Sequence, residues 1–141
     1  MVDNISAITQ LKARQLRAMD TKDWDGMRQT FADDLVMDFT ELGGALTSGA
    51  DEFVATVRAS LDGVVSVHQV FMPEIVVTSP HDASGIWTMQ VVQVLPDGTR
   101  TIVFGHYHET YAEIDGSWLI KSSRLSRLHA ETISEAAAQM S

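Results

Sequence analysis

The chain of 141 residues contains no cysteine, which excludes disulfide bonds, thiolate metal ligands and a thiol nucleophile. Basic residues are also scarce, since 10 Lys and Arg stand against 19 Asp and Glu and leave a net charge of −9. Nucleic acids and anionic membrane surfaces bind clustered positive charge, so we expect neither as a partner. No apolar run reaches the roughly 20 residues of a membrane-spanning helix, and the N-terminus lacks a signal pattern. We therefore expect a cytoplasmic protein.

Hydrophobic residues make up 45% of the chain, which indicates one globular domain over residues 1–141. Helical patterns come first. Residues 4–19 carry a broad apolar stripe, with Lys12, Arg14 and Arg17 largely off it. A short helix with Trp24, Met27 and Phe31 on one face is expected next, ended by Asp33-Asp34, followed by a strand at 35–39 and a loop at 42–47. Ser48 then begins a capping box for a third helix, which ends at Gly63.

The second half of the chain reads as β-strands at residues 64–72, 75–79, 86–95, 101–114 and 117–128. Asp115-Gly116 separates the last two runs and predicts a type I′ hairpin, so residues 84–128 should form a meander of at least three long antiparallel strands. Helices followed by a meander predict an α+β fold, with about three helices against a curved antiparallel sheet. Such a sheet encloses a cone whose mouth suits a small molecule. Residues 130–141 could be a short helix or a frayed tail.

Asp20 and His68 are the first candidates for chemistry. A histidine in the apolar run 64–72 is expected to be partly buried and to need a hydrogen-bond partner. A carboxylate on one ring nitrogen would fix the tautomer and leave the other nitrogen as a general base. The alternatives are that Asp20 caps the helix that follows it and that His68 bonds a backbone carbonyl.

His106 and His108 form a second candidate set, because residues two apart on a strand share a face and could begin a metal site. We favour the alternative of two histidines on an outer face, and expect no bound metal. Tyr107, Glu109 and Tyr111 share the other face, where they suit a cavity wall or simple cross-strand pairing.

Arg124 could point into the cavity as an anion or leaving-group stabiliser, and a surface arginine is the alternative. Trp24 is a candidate substrate contact, although packing in the core is the favoured interpretation of this tryptophan.

The chain resembles SnoaL-like members of the NTF2-like superfamily over almost its whole length. The resemblance lies in residues 20–25, in 31–34, in the strand holding His68, and in the pattern Gly105-x-Tyr107-x-x-x-Tyr111 to Asp115-Gly116-x-Trp118. Within the superfamily it is similar to scytalone dehydratase, hexachlorocyclohexane dehydrochlorinase and bile-acid 7α-dehydratase. The resemblance implies a cone of curved sheet over helices, no cofactor, and removal of a proton and a leaving group from a hydrophobic substrate.

Carried over by position, the resemblance makes Asp20 and His68 a base dyad, and it matches Arg124 by spacing to an arginine of two of these enzymes. Met19 and Phe39 stand where scytalone dehydratase has two water-binding tyrosines. Other departures are Gln93 in place of its second histidine and Gln15 in place of a lysine of the dehydrochlorinase. The asparagine of scytalone dehydratase corresponds to either Tyr107 or Glu109. The resulting substrate-contact candidates are Phe39, Met19, Trp24, Tyr107, Gln93 and Glu109.

The favoured hypothesis is a cofactor-independent lyase or isomerase for a small hydrophobic, cyclic or aromatic substrate. In it, His68 removes a proton, Asp20 orients His68, and Arg124 or Tyr107 assists the departing or developing oxyanion. A non-catalytic ligand-binding or oligomerisation module is the alternative, and a metal enzyme using His106 and His108 ranks third. We expect self-association, because the open sheet face is apolar, with Trp87, Val91 and Tyr111 as contributors. The resemblance implies a trimer or dimer, and it favours a trimer.

Overall fold

The computed structural model describes residues 3–134 and confirms the α+β class. None of the helices in this range is long and apolar enough to cross a membrane. The helices are α1 (Asn4–Asp20), α2 (Trp24–Arg28) and α3 (Ala50–Ser60), with a 3₁₀ turn at Thr40–Leu42. The strands are β1 (Phe31–Asp38), β2 (Leu46–Ser48), β3 (Val65–Ser79), β4 (Asp82–Val94), β5 (Arg100–Ile114) and β6 (Ser117–Ile133).

The described strands form a six-stranded sheet in the order β2-β1-β6-β5-β4-β3. The predicted meander is present, since β4, β5 and β6 pair antiparallel in sequence order. At the β5–β6 turn, φ is 52° at Asp115 and 85° at Gly116, as the type I′ interpretation requires. One pair departs from the expected antiparallel sheet, because β1 runs parallel to β6. The second half of the chain thus supplies strands β3 to β6, and β1 joins the sheet beside β6.

Two predicted boundaries in the first half are wrong. The second helix ends at Arg28, and Phe31 instead begins β1, where it pairs with Ile120. Ser48 does not cap α3, because it pairs with Val36 as the last residue of β2, and Gly49 occupies the cap position with φ of 99°. In both places, pairing with a strand distant in sequence overrides a local helical signal.

The strand runs at 64–72 and 75–79 are one strand, β3, with a kink between them. Met72 has a positive φ of 48°, Pro73 follows it, and the pairing with β4 shifts between Phe71 and Glu74. This is the geometry of a β-bulge, which bends a strand without ending it. At the other end of the chain, residues 130–133 belong to β6. The remainder of the predicted tail, residues 135–141, lies outside the described residues.

The sheet has an inner face against the helices and an outer face that no helix of residues 3–134 covers. Trp87, Val91 and Tyr111 lie on the inner face and are buried, so the expectation that they form an open apolar surface is wrong. The outer face exposes other large apolar side chains: Val36, Val67, Phe71, Val76, Ile86 and Phe104. The meander of β4, β5 and β6 is correctly predicted, but its pattern does not indicate which face the helices cover.

Candidate active site

Asp20 and His68 are in contact at the C-terminal end of α1. The Nδ1 atom of His68 lies 2.6 Å from Asp20 Oδ1, and the backbone amide of His68 donates to Asp20 Oδ2 at 2.8 Å. Ser66 Oγ adds a third hydrogen bond to this carboxylate, at 2.9 Å. Asp23, rather than Asp20, caps α2. Neither alternative for the two residues describes the structure, since Asp20 is not a cap and His68 bonds a carboxylate.

The surroundings of Asp20 favour its ionised form. Burial raises the pKa of the carboxyl group, but the hydrogen bonds from His68 and Ser66 outweigh burial, and the pKa falls below its ordinary value of 3.8. An ionised carboxylate can only accept hydrogen bonds, so in the neutral imidazole the proton sits on Nδ1. The Nε2 atom of His68 then carries the free lone pair.

His68 opens onto a cavity of about 410 Å³ between the sheet and the helices. Within residues 3–134, every side-chain nitrogen or oxygen that is fully buried has a hydrogen-bond partner. His68 Nε2 has no such partner, so it is not fully buried. This atom therefore retains surface open to the cavity. The cavity walls are mainly apolar, and their larger members are Met19, Met37, Phe39, Leu42, Phe53, Met89, Val91, Val103 and Leu125. Its size and lining are those of a small-molecule site.

Four of the predicted substrate contacts line this cavity, namely Met19, Phe39, Gln93 and Tyr107. The Phe39 ring stacks on Phe53 of α3 with centroids 5.7 Å apart, which fixes it as part of the wall. Burial raises the pKa of Tyr107, and the negative charges of Glu109 and Asp20 raise it further. The phenol therefore stays protonated and can donate a hydrogen bond. Tyr107 Oη has no partner in the described residues, so it too opens onto the cavity.

Glu109 is buried, but it does not line the cavity, and the prediction that it contacts substrate is wrong. Its Oε2 accepts from Lys12 Nζ at 2.8 Å and from Ser123 Oγ at 2.9 Å. Its Oε1 accepts from Tyr111 Oη at 2.9 Å, and Tyr111 in turn accepts from Trp87 Nε1 at 2.8 Å. Of the two alternatives left open by the sequence, Tyr107 is the polar group of the cavity.

Lys12 is a buried residue beside the candidate site that sequence reasoning missed. The prediction places it off the apolar stripe of α1, yet it is fully buried. The spacing of Lys12 indicates its burial, because Lys12 and Gln15 lie on the same helix face as the buried positions 8, 11, 16 and 19. Burial lowers the pKa of Lys12, and the ion pair with Glu109 opposes that shift. Two polar residues on an apolar face thus mark a buried network.

Arg124 lies on the outer face of the sheet, so the prediction that it joins His68 in the cavity is wrong. The reason is a bulge in β6. Thr110 pairs with Ser122 and Tyr111 pairs with Ile120, which leaves Lys121 as an extra residue. Ile120 therefore faces inward, and after the bulge the inward positions move from even to odd numbers. Arg124 instead borders an outer depression of about 470 Å³.

Trp24 also lies away from the cavity. It is half-buried at the start of α2 and packs against the hydrophobic core, which makes it a structural residue and corrects its prediction as a substrate contact. His106 and His108 have their ring centroids 6.2 Å apart on the outer face. Within residues 3–134, no group of three or more acidic or histidine side chains is arranged to hold a metal ion.

Comparisons with known proteins agree with this architecture. The sequence profile of the SnoaL-like domain matches residues 1–124. Among solved structures, the Kfla4162 protein of Kribbella flavida is 22% identical with a TM-score of 0.84, covering 91% of this chain and 93% of its own. A candidate scytalone dehydratase from Novosphingobium aromaticivorans is 16% identical with a TM-score of 0.82, covering 90% and 85%.

A hexachlorocyclohexane dehydrochlorinase, LinA type 2, is also similar in structure. It is 17% identical with a TM-score of 0.81, covering 92% of this chain and 88% of its own. At such low identity these structures establish a common fold.

Proposed function

The chain belongs to the SnoaL-like domain family of the NTF2-like superfamily, and from that premise we propose that it is a cytoplasmic, cofactor-independent lyase or isomerase. Its substrate is a small hydrophobic molecule, cyclic or aromatic. The observation that carries the proposal is the contact between Asp20 and His68, with the free Nε2 of His68 open to an apolar cavity. The names of the similar structures, a candidate dehydratase and a dehydrochlorinase, support the same reaction class.

In the proposed step, His68 Nε2 removes a proton from an sp³ carbon of the bound substrate. The electron pair of that C–H bond becomes a double bond. In a lyase it expels a leaving group, with its bonding electrons, from the adjacent carbon. In an isomerase it displaces the π electrons of a neighbouring double bond, and the far carbon of that bond takes the proton back from His68. Asp20 holds the ring by Nδ1 and stabilises the imidazolium that forms. The apolar wall fixes the substrate against His68 and excludes water.

A second function remains, a ligand-binding module without turnover, and one specific observation favours it. No lysine or arginine of residues 3–134 lines the cavity, since Arg124 faces outward and Lys12 is sealed beneath the wall. An anionic leaving group would therefore find no cation beside it. The same observation, within the enzymatic proposal, favours isomerisation or loss of a group that departs with a proton.

Proton exchange separates the two functions whatever the product is. Aromatic, terpenoid and steroid-like compounds that contain an acidic C–H bond are first screened for binding by thermal shift. The binders are then incubated in D₂O and followed by NMR. An enzyme exchanges or eliminates that proton, and His68→Ala lowers the rate by about 10²–10⁴-fold, the usual contribution of a general base.

The matched control is His81→Ala. His81 also pairs its Nδ1 with a carboxylate, that of Glu113, but its side chain is 72% exposed and does not line the cavity. The His81 variant should exchange at the parent rate. Binding without exchange, or exchange unchanged in His68→Ala, would overturn the enzymatic proposal and leave the binding module.

We further propose that the protein self-associates, as a dimer or trimer, through the outer face of the sheet. The exposed side chains of Val67, Val76, Ile86 and Phe104 form an apolar surface there that has no covering element within residues 3–134. Light scattering coupled to size-exclusion chromatography tests this. Ile86→Asp should lower the measured mass to that of one chain, and a single-chain parent would contradict the proposal.

A further inference from the structure

Gln15 is a second polar group on the wall of the cavity that contains His68, and its amide orientation is fixed by chemistry. Lys12 Nζ lies 2.9 Å from Gln15 Oε1. An ammonium group has only donors, so the amide atom facing it must be the oxygen. The NH₂ group of Gln15 then points the other way. Gln15 Nε2 makes no hydrogen bond within residues 3–134, and since no sealed polar atom there lacks a partner, Nε2 is open to the cavity.

Lys12 is itself held without freedom to turn. Its three N–H groups have three partners: Gln15 Oε1, Glu109 Oε2 at 2.8 Å, and the ring of Tyr107, whose centroid lies 3.8 Å from Nζ. Its side chain is sealed from solvent, with 1% exposed. Water cannot replace any of these contacts, so the ammonium keeps the amide in one orientation.

We propose that Lys12 is a positioning residue that locks Gln15 as a hydrogen-bond donor, and that the cavity therefore selects ligands with an oxygen acceptor at that point. This rests on the proposed function only in naming the same cavity as the substrate site. For a carbon acid, an oxygen held by Gln15 also accepts the charge that develops when His68 removes a proton. Tyr107 Oη supplies a second donor on the same wall.

Gln93 provides a matched comparison. It is the other glutamine lining the cavity, and no hydrogen bond fixes its amide within the described residues. Its amide can present either its oxygen or its NH₂ group. A free amide gives little preference between ligand types, whereas a locked one gives a defined preference.

The experiment measures binding of two bicyclic probes, 1-tetralone and tetralin, which share a skeleton and differ in the carbonyl oxygen. The parent should bind 1-tetralone more tightly. Gln15→Leu should lower the ratio of the two affinities about 3- to 10-fold, the equivalent of one neutral hydrogen bond. Gln93→Leu should lower the ratio less than Gln15→Leu, because the free amide of Gln93 must give up its rotation before it donates to the ketone.

The role of Lys12 is tested in the double variant Lys12→Met/Glu109→Gln, which removes both charges and leaves neither one buried alone. The affinity ratio should fall, though by less than in Gln15→Leu, because the released amide of Gln15 must give up its rotation before it donates to the ketone. A general disturbance of the wall would weaken both probes equally and leave the ratio unchanged. The infrared carbonyl stretch of bound 1-tetralone gives an independent signature, lower in the parent than in either variant.

Three results overturn the proposal: a parent that binds neither probe, a parent without preference for the ketone, or a ratio and carbonyl stretch that survive both Gln15→Leu and the double variant. If the double variant does not fold, Gln15→Leu against Gln93→Leu decides. The outcome is independent of turnover, because His68→Ala should keep the ketone preference whether or not the protein is an enzyme. If the protein prefers 1-tetralone but does not exchange the proton, only the enzymatic proposal is overturned.

Discussion

Two carboxylates inside this chain each meet a basic side chain, and the two pairs differ in how completely their polar atoms are occupied. In the pair of Lys12 and Glu109, both side chains are 1% exposed and every donor and acceptor has a partner from the protein. In the pair of Asp20 and His68, the carboxylate is 21% exposed and one ring nitrogen is open to the cavity. The closed pair can only support its neighbours, whereas the open pair can act on a bound molecule.

The largest expected effect comes from breaking the closed pair. Lys12→Met leaves the Glu109 carboxylate buried without its cation, which should lower the free energy of unfolding by about 3–5 kcal/mol in urea denaturation. Lys121→Met is the control, since Lys121 is exposed and 3.7 Å from Asp34, and should change stability by no more than about 0.5 kcal/mol. A loss below about 1 kcal/mol for Lys12→Met would mean that water reaches the pair.

Breaking the open pair should lower the free energy of unfolding by less, and the size of this loss should depend on pH. Asp20→Asn should lower stability at pH 7 by about 1–3 kcal/mol, because hydrogen bonds to a charged acceptor are lost. The pKa of Asp20 is depressed in the folded state, so its contribution is present above 3.8 and is lost as pH falls through the folded-state pKa. The stability difference between parent and variant should therefore shrink in acid. A difference that is constant from pH 7 to pH 3 would contradict this.

Two serines allow the same deletion at each pair. Ser123→Ala removes one donor from Glu109, and no water can replace it, so we expect a loss of about 1 kcal/mol. Ser66→Ala removes one donor from Asp20, whose exposed edge can accept water instead, so the loss should be roughly half as large. Equal losses, or a larger one for Ser66→Ala, would argue that the two carboxylates are equally sealed.

The smallest effect is expected at Arg124. Its guanidinium is on the outer face, so Arg124→Gln should leave proton exchange and ligand binding in the cavity within about 2-fold, and stability within about 0.5 kcal/mol. The measurements are those used for His68→Ala, run alongside it. A drop in exchange comparable to that of His68→Ala would show that the arginine reaches the substrate after all.

Sequence reasoning is most successful where a side chain's role follows from its type and local pattern. Asp115-Gly116 sets its own turn, and the alternation of Tyr107, Glu109 and Tyr111 places all three on the buried face. It fails where a distant segment decides the outcome. Ser48 is a strand residue because Val36 pairs with it, and no property of residues 48–51 records that.

The candidate site divides along the same line. Asp20 and His68 can be paired from sequence, since one is an acid at a helix end, the other is a histidine in an apolar strand, and the resemblance implies a base dyad at these two positions. The partner of Lys12 cannot be foreseen, because Glu109 is 97 positions away and both look like surface residues by type. Only the helical spacing of Lys12 among apolar neighbours points to its burial.

The bulge at Lys121 has a consequence for comparing this chain with its relatives. Successive residues of a strand face opposite sides of the sheet, so one unpaired residue reverses which side the following residues face, until a second bulge, here at Leu128, reverses them again. A relative with the same arginine at the same count from the histidine, but with its bulge a few residues later, would aim that cation at the substrate. An arginine at the same position in two relatives therefore need not face the same side of the sheet. A shift of one residue in strand pairing can place its charge in the cavity or remove it from there without any substitution.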